Sequence, residues 1–133
     1  MIKRTFDIDK INSVIKHPDI WPLIADDEDI ETYAPPMDGV HYLFDEGVIV
    51  ILHPEGDDWE IHVNVLPESR GKAMQSAADA LEYGFNTLKA SKIVANIPQK
   101  YGNVYGFALK FMKDKGLIDG EHHLALEATE WAL

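Results

Sequence analysis

The chain has 133 residues, a length that suits one domain with a single hydrophobic core. Acidic residues outnumber basic ones by 23 to 12, and the formal net charge of -11 argues against nucleic acid as a partner, because binding phosphates requires a basic face. The absence of cysteine excludes disulfides, thiolate metal sites and a cysteine nucleophile, and it fits a reducing cytoplasm.

Hydropathy indicates a globular protein with no membrane partner. Apolar residues make up 46% of the chain, which is not the composition of a disordered polypeptide. No apolar run approaches the length of a membrane span, and residues 1–9 lack the apolar core of a signal peptide. We therefore expect one cytoplasmic domain over residues 1–133. Its negative surface either draws cationic amines or a basic protein, or simply keeps the domain in solution.

The N-terminal part is expected to be mainly helical. A short strand at residues 2–6 precedes a helix capped by Asp7 or Asp9. That helix should turn four apolar side chains to one side: Ile8, Ile11, Val14 and Ile15. A second short helix follows at residues 19–25, where Pro22 is tolerated because it falls in the first turn.

Three strands joined by tight turns come next. Residues 40–44 and 48–53 are apolar runs separated by Asp45-Glu46-Gly47, which is a hairpin signal. A second turn leads to a strand at residues 59–65, where apolar and polar residues alternate. This pattern predicts an antiparallel meander.

The sequence then changes to helical periodicity. After the polar turn 67–72, apolar residues recur at helical spacing: Met74, Ala77, Ala78, Leu81, Phe85 and Leu88. The first turn of a helix leaves backbone N–H groups without partners and carries the positive end of the helix dipole. An anion site is therefore predicted at this junction, where Gly71 lets a ligand approach closely.

The remaining chain predicts another strand and helix, then a closing strand. Residues 90–98 suit a strand, Asn103 can cap a helix, and Gly116 is expected to end that helix. Leu124 and Leu126 alternate with other residues in the closing strand, and a weaker strand is expected up to residue 133. A strand, helix, strand order requires a parallel pairing within a mixed sheet.

Two stretches resemble a known family. The segment V-L-P-E-S-R-G-K-A, residues 65–73, resembles the acyl-CoA loop of the GNAT superfamily of N-acetyltransferases, whose pattern is R/Q-x-x-G-x-G/A between a strand and a helix. Residues 93–117 resemble the family's next strand and helix. Arg70 fits the first position, whereas Ala73 stands where the first motif Gly belongs and Gln75 where the second Gly or Ala belongs.

The resemblance implies the fold and the cosubstrate. It implies an α/β (α+β) fold: a GNAT-like mixed, mostly antiparallel sheet of six or seven strands flanked by about four helices. In the family, acetyl-CoA is held through its thioester carbonyl and its pyrophosphate, largely by backbone amides. The residues of this chain that match those contacts are Val65, Leu66, Arg70, Gly71, Lys72 and Ala73, and Asn103 resembles an Asn of the family's last helix.

Acyl transfer to an amine needs a group that removes a proton from the nitrogen. Glu60 and His62 share one face of the central strand with Asn64, and Glu60 either acts itself or orients His62. The alternative is that these residues form the polar face of an ordinary half-solvated strand.

A general acid beside the CoA sulfur is the family's further catalytic group. Family members often carry a Tyr four residues before the Gly that ends the last helix, and counting back from Gly116 gives Met112. Tyr105 in the first turn of that helix is the candidate that remains, with Tyr101 just before it. A thiolate can also leave without an acid.

Adjacent histidines do not indicate a metal in this chain. His122 and His123 would point to opposite faces of a strand, and no third ligand is evident, so a surface pair is expected.

Two functional hypotheses follow. In the first, the protein is an acyl-CoA-dependent N-acyltransferase whose acceptor is an amine on a small molecule or a protein. In the second, it is a catalytically inactive GNAT-fold phage virion or accessory protein that acts through protein contacts, because GNAT-like proteins of this size occur among the internal virion proteins of short-tailed phages.

Overall fold

The computed structural model describes residues 2–25 and 28–131. Their helices and strands, in chain order, are β1 Lys3–Thr5, α1 Ile8–Ile15, α2 Trp21–Ile24, β2 His41–Asp45, β3 Val48–Glu55, β4 Asp58–Val65, a 3-10 helix Pro67–Lys72, α3 Ala73–Glu82, a π-helical segment Tyr83–Thr87, β5 Lys92–Pro98, α4 Gly102–Ala108, β6 Lys113–Ile118, β7 Glu121–Glu127 and α5 Ala128–Trp131. No helix in this part of the chain is long and apolar enough to cross a membrane.

The strands form one mostly antiparallel sheet with the order β1-β2-β3-β4-β5-β7-β6. Its parallel pair is β4 with β5, and the register joins Trp59 to Ile93 and Glu60 to Val94. This pairing is the crossover that the strand, helix, strand order requires. The predicted mixed sheet of six or seven strands is confirmed, and the described residues form five α-helices where about four were expected.

The described residues fall into two compact units. The first unit contains the residues up to 52 together with 62–80, and the second contains 53–61 together with the residues from 81 onward. Each unit has buried apolar side chains of its own.

The first unit is built around α1. Asp7 caps this helix by accepting hydrogen bonds from the backbone N–H groups of Asp9 at 3.0 Å and Lys10 at 3.4 Å. The buried residues of this core are Ile11, Val14, Ile15, Ile20, Tyr42, Ile49 and Leu66. Ile8, which was predicted to face inward, is 46% exposed, because it occupies the first position of the helix, one turn before the buried stripe begins.

Helix α3 contains residues of both units, since its last two residues belong to the second. Ala77 and Leu81 are buried as predicted, whereas Met74 lies in the first turn and is 47% exposed. The helix continues as a π-helical segment in which the amide of Leu88 donates to the carbonyl of Tyr83 at 3.1 Å, and Phe85 is buried there. The predicted helix is therefore present, with a wider last turn.

In the second unit, β5 and β7 supply one apolar face of the sheet. The register pairs Ile93 with Leu126 and Ala95 with Leu124, and these four side chains are buried. Alternate residues of β5 point the other way and are only half-buried, as the period of a strand requires.

The end of the second unit corrects two predictions. The helix predicted to reach Gly116 ends at Ala108, and β6 follows it. Gly116 has a φ of 135° and lies beside a register shift in β6. Glycine is therefore needed here for an irregular strand and not for the end of a helix. The weak strand predicted up to residue 133 is also wrong, because Ala128–Trp131 is helical, and the last two residues lie outside the described part.

Candidate functional site

A buried carboxylate on β4 is the centre of the candidate site. Glu60 is 8% exposed. Its Oε1 lies 3.0 Å from Nε2 of His53, and its Oε2 accepts a hydrogen bond from the side-chain amide of Asn96. All three residues belong to the second unit. A carboxylate in its ionised form only accepts hydrogen bonds, so with that form of Glu60 it is Nε2 of His53 that donates.

Three strands position these side chains. Glu60 is paired with Val94 in the parallel register, and Asn96 lies two residues further along β5, on the same face. His53 comes from β3. Burying a carboxylate is costly unless hydrogen bonds replace its water, and here both oxygens receive one. The three side chains therefore provide a hydrogen-bond partner for both carboxylate oxygens of a residue that is almost fully buried.

Sequence reasoning found Glu60 from strand alternation but missed both of its partners. His53 is the ionisable residue of the apolar run 48–53, and Asn96 is an uncharged polar residue within β5. A polar residue within an otherwise apolar strand was the sequence signal that could have identified each partner. His62, the other predicted base, lies on β4 with an exposed side chain.

The predicted anion-binding segment is ordered by contacts within the first unit. The Ser69 hydroxyl donates to the carbonyl of Glu46 at 3.3 Å. Nζ of Lys72 lies 3.1 Å from the same carbonyl and 3.5 Å from Oδ1 of Asp45. The segment therefore rests on the hairpin turn between β2 and β3.

Gly47 is what allows this close approach. A Cβ atom at Gly47 would lie 1.9 Å from Oγ of Ser69 and 2.8 Å from its Cβ, and the φ of 78° is in the left-handed region. The amide of Leu66 donates to the carbonyl of Gly47 at 2.8 Å. The turn and the segment are thus joined by backbone and side-chain contacts.

The predicted polar turn 67–72 is a 3-10 helix that runs directly into α3. The amide of Ala73 donates to the carbonyl of Arg70, so this N–H is already used within the helix, as is that of Leu66 in the hairpin contact. Arg70 and Gly71 are exposed, and a Cβ at Gly71 would meet no atom within 4 Å. Val65 is half-buried at the end of β4.

Tyr105, the predicted acid, belongs to a cluster in the second unit. Its hydroxyl donates to Oδ2 of Asp114 at 2.5 Å, and its ring stacks on that of His122 with centroids 3.8 Å apart. The hydrogen bond to Asp114 raises the pKa of Tyr105. The same bond, followed by one from the amide of Gly116, lowers the pKa of Asp114.

The remaining predicted residues lie near this cluster or apart from it. The prediction that Asn103 caps α4 is wrong: the residue before the helix is Tyr101, and Asn103 is exposed within the first turn. Met112 is buried and follows the end of α4. Gly116 does not end this helix, so the position four residues before it is not the one where the family carries its Tyr. His122 and His123 lie next to each other on β7, both half-buried, and Nδ1 of His122 is 3.5 Å from Oδ2 of Asp114.

Comparison with known proteins gives matches among solved structures. A variant of the spermidine N-acetyltransferase SpeG from Vibrio cholerae has a TM-score of 0.73 and 13% identity over 98% of this chain and 95% of that one. A chimera of Vibrio cholerae SpeG with hSSAT has a TM-score of 0.73 and 16% identity over 99% and 98%. The N-acetyltransferase PseH from Campylobacter jejuni has a TM-score of 0.60 and 11% identity over 68% and 70%.

No protein-family model matches the chain, and no curated protein matches its sequence. At identities this low, the structural matches establish the fold, which is the GNAT-like fold of these N-acetyltransferases. A fold by itself does not carry an activity, so the activity has to be argued from the residues of the site.

Proposed function

We propose that the protein is an acyl-CoA-dependent N-acyltransferase that moves an acetyl group from acetyl-CoA to an amine. The observation that carries the proposal is the buried Glu60 of the central strand, held by one partner from each neighbouring strand. A partly desolvated carboxylate fixed by neighbouring side chains is costly to build into a sheet and suits proton transfer. The fold supports the same reaction class, because the matching structures are N-acetyltransferases.

In the proposed reaction, Glu60 takes a proton from the acceptor amine, directly or through a water. The nitrogen then attacks the thioester carbonyl carbon, the carbon–sulfur bond breaks, and CoA leaves as a thiolate. His53 and Asn96 hold the carboxylate in place during this transfer. Tyr105 is the candidate for returning a proton to the sulfur.

For the cosubstrate we propose the segment before α3, with Arg70, Gly71 and Lys72 at the pyrophosphate and Val65 at the pantetheine. The amides of Leu66 and Ala73 are bonded within the fold, so we assign the phosphate contact chiefly to the exposed Arg70 and Gly71. The acceptor would be an amine of a small molecule or a protein, and the spermidine acetyltransferases among the matching structures favour a small one.

Thermal unfolding with and without acetyl-CoA tests the proposal. A site of micromolar affinity should add about 4 kcal/mol to the free energy of unfolding at a thousandfold excess of ligand. Gly71→Asp and Gly71→Ala form a matched pair, because there is room for a side chain at Gly71 and only the first variant adds a negative charge. The aspartate should abolish the shift, whereas the alanine should keep most of it.

An absent shift in the wild-type protein would overturn the acyltransferase assignment. It would favour the second hypothesis, a GNAT-fold protein that acts through its surface. If acetyl-CoA stabilises both Gly71 variants as much as the wild-type protein, its binding site lies elsewhere than at the 3-10 helix.

A further inference from the structure

The second unit has a pocket beside the proposed base. It is an open depression with a volume of about 210 Å³, lined by Lys92, Val94, Asn96, Lys115, His123, Leu124 and Ala125. Pockets for drug-sized ligands usually hold roughly 300–1,000 Å³, so this one suits a small head group. Asn96 connects it to the base, because the same side chain lines the pocket and donates to Glu60.

The pocket differs in charge from the protein as a whole. The chain has a net charge of -11, yet none of the described residues that line the pocket is acidic, and two lysines, Lys92 and Lys115, are among them together with His123. Cations gathered in a concavity favour an anionic ligand group. The lining side chains themselves therefore suit an oxyanion better than a polycation.

Carboxylates flank the lysines of the pocket, and Glu127 is the strand partner of Lys92. Nζ of Lys92 lies 3.5 Å from Oδ2 of Asp58. The hydrogen bond from Lys113 lowers the pKa of Glu130, and the charge of Lys115 adds a smaller contribution. A lysine ammonium has three N–H donors, so a single contact with Asp58 leaves Lys92 able to bind a further oxygen. Lys115 is exposed on β6.

From this geometry we infer that the acceptor amine also carries an oxyanion group, a carboxylate or a phosphate, which binds to Lys92, Lys115 and His123. This inference rests on the proposed function for the role of Glu60. The acceptor would span Asn96, with its amine at the carboxylate of Glu60 and its oxyanion at the lysines. The two ends of the ligand would then each meet a group of opposite charge.

Matched ligands test the inference by isothermal titration, with and without CoA. Amino acids are compared with their carboxamides, and aminoalkyl phosphates with the corresponding amino alcohols, so that each pair differs in the oxyanion. We expect the oxyanion to tighten binding about tenfold, the effect of one charge-assisted hydrogen bond. The pair with the larger difference identifies carboxylate or phosphate. Spermidine should bind more weakly than the oxyanion-bearing member of each pair.

Lys92→Gln and Lys115→Gln should each remove most of that preference. Lys110→Gln is the control, because Lys110 belongs to the same unit, is exposed and does not line the pocket, while the change in net charge is the same. Equal binding within every pair, tighter binding of spermidine, no binding of any amine, or equal effects of the three variants would overturn the inference. If the protein prefers the oxyanion-bearing ligands but transfers no acetyl group to them from acetyl-CoA, the oxyanion site stands and the acyltransferase proposal is overturned.

Discussion

The environment of Glu60 depends on two residues from other strands, one 7 and the other 36 positions away in the sequence. His53 and Asn96 reach it from neighbouring strands, and together they occupy both oxygens. Strand alternation is enough to suggest Glu60, because it depends on adjacent residues only. Its partners depend on which strands pair and in which register, and a single sequence does not contain that information directly.

Replacing Glu60 by Gln tests the base at the scale of one residue. The change keeps the size of the side chain but removes its ability to accept a proton, so kcat should fall by about 10²- to 10⁴-fold. The thermal shift caused by acetyl-CoA should be retained. His62→Gln is the comparison, because His62 shares β4 but is exposed. A larger loss for His62→Gln than for Glu60→Gln would transfer the role of base to the histidine.

At the scale of elements, the contact between the β2–β3 turn and the 3-10 helix organises the proposed cosubstrate segment. Gly47→Ala would force Ser69 to move, because the new Cβ would approach both side-chain atoms of that serine. Gly56, in the turn between β3 and β4, has a similar positive φ but no atom within 4 Å of its added Cβ. Comparing the two alanine variants therefore separates the cost of the backbone conformation, which both share, from the cost of the steric collision, which only Gly47→Ala has.

We expect Gly47→Ala to lower the free energy of unfolding by about 1–3 kcal/mol more than Gly56→Ala does, which is the usual effect of overpacking. Urea denaturation measures both. Adding Ser69→Gly to Gly47→Ala should recover part of the loss, since it removes the colliding atoms. Equal losses for the two glycine variants would show that only the backbone conformation matters.

Local patterns predicted most elements because their signals are local. The Asp7 cap, the hairpin at Asp45-Glu46-Gly47 and the main helix all follow from periodicity and turn residues. The last helix was extended too far because Gly116 suits both a helix end and an irregular strand. Strand β6 has mostly exposed residues and no apolar alternation, so only its pairing with β7 reveals it.

At the scale of the whole molecule, acid should destabilise the protein through carboxylates whose pKa the fold lowers. The hydrogen bond from Tyr105 lowers the pKa of Asp114, and that from Lys113 lowers the pKa of Glu130. A carboxyl whose pKa is lower in the folded state stabilises the protein above its unfolded pKa, and this contribution is lost as the pH falls through the folded pKa. The loss should therefore begin near the ordinary values of 3.8 for Asp114 and 4.5 for Glu130 and continue below them.

Asp114→Asn isolates one of these groups, because every other titrating residue is shared with the wild-type protein. The variant should be less stable at pH 7, and the difference should shrink as the pH falls below about 4, where Asp114 itself takes up a proton. Urea midpoints at pH 7, 5 and 3.5 measure this. A difference that stays constant over that range would contradict the role assigned to the ionised Asp114.

The outermost strands bear on how the protein behaves when it is concentrated. Strand β1 exposes Lys3 and Arg4, and β6 exposes Lys113 and Lys115 next to an irregular step in its register. If a strand of another copy paired with one of these edges, lysine and arginine side chains of like charge would repel each other, and at β6 the strand would also have to follow an irregular backbone. We therefore expect the sheet to stop at seven strands, without fibrous aggregation through its edges.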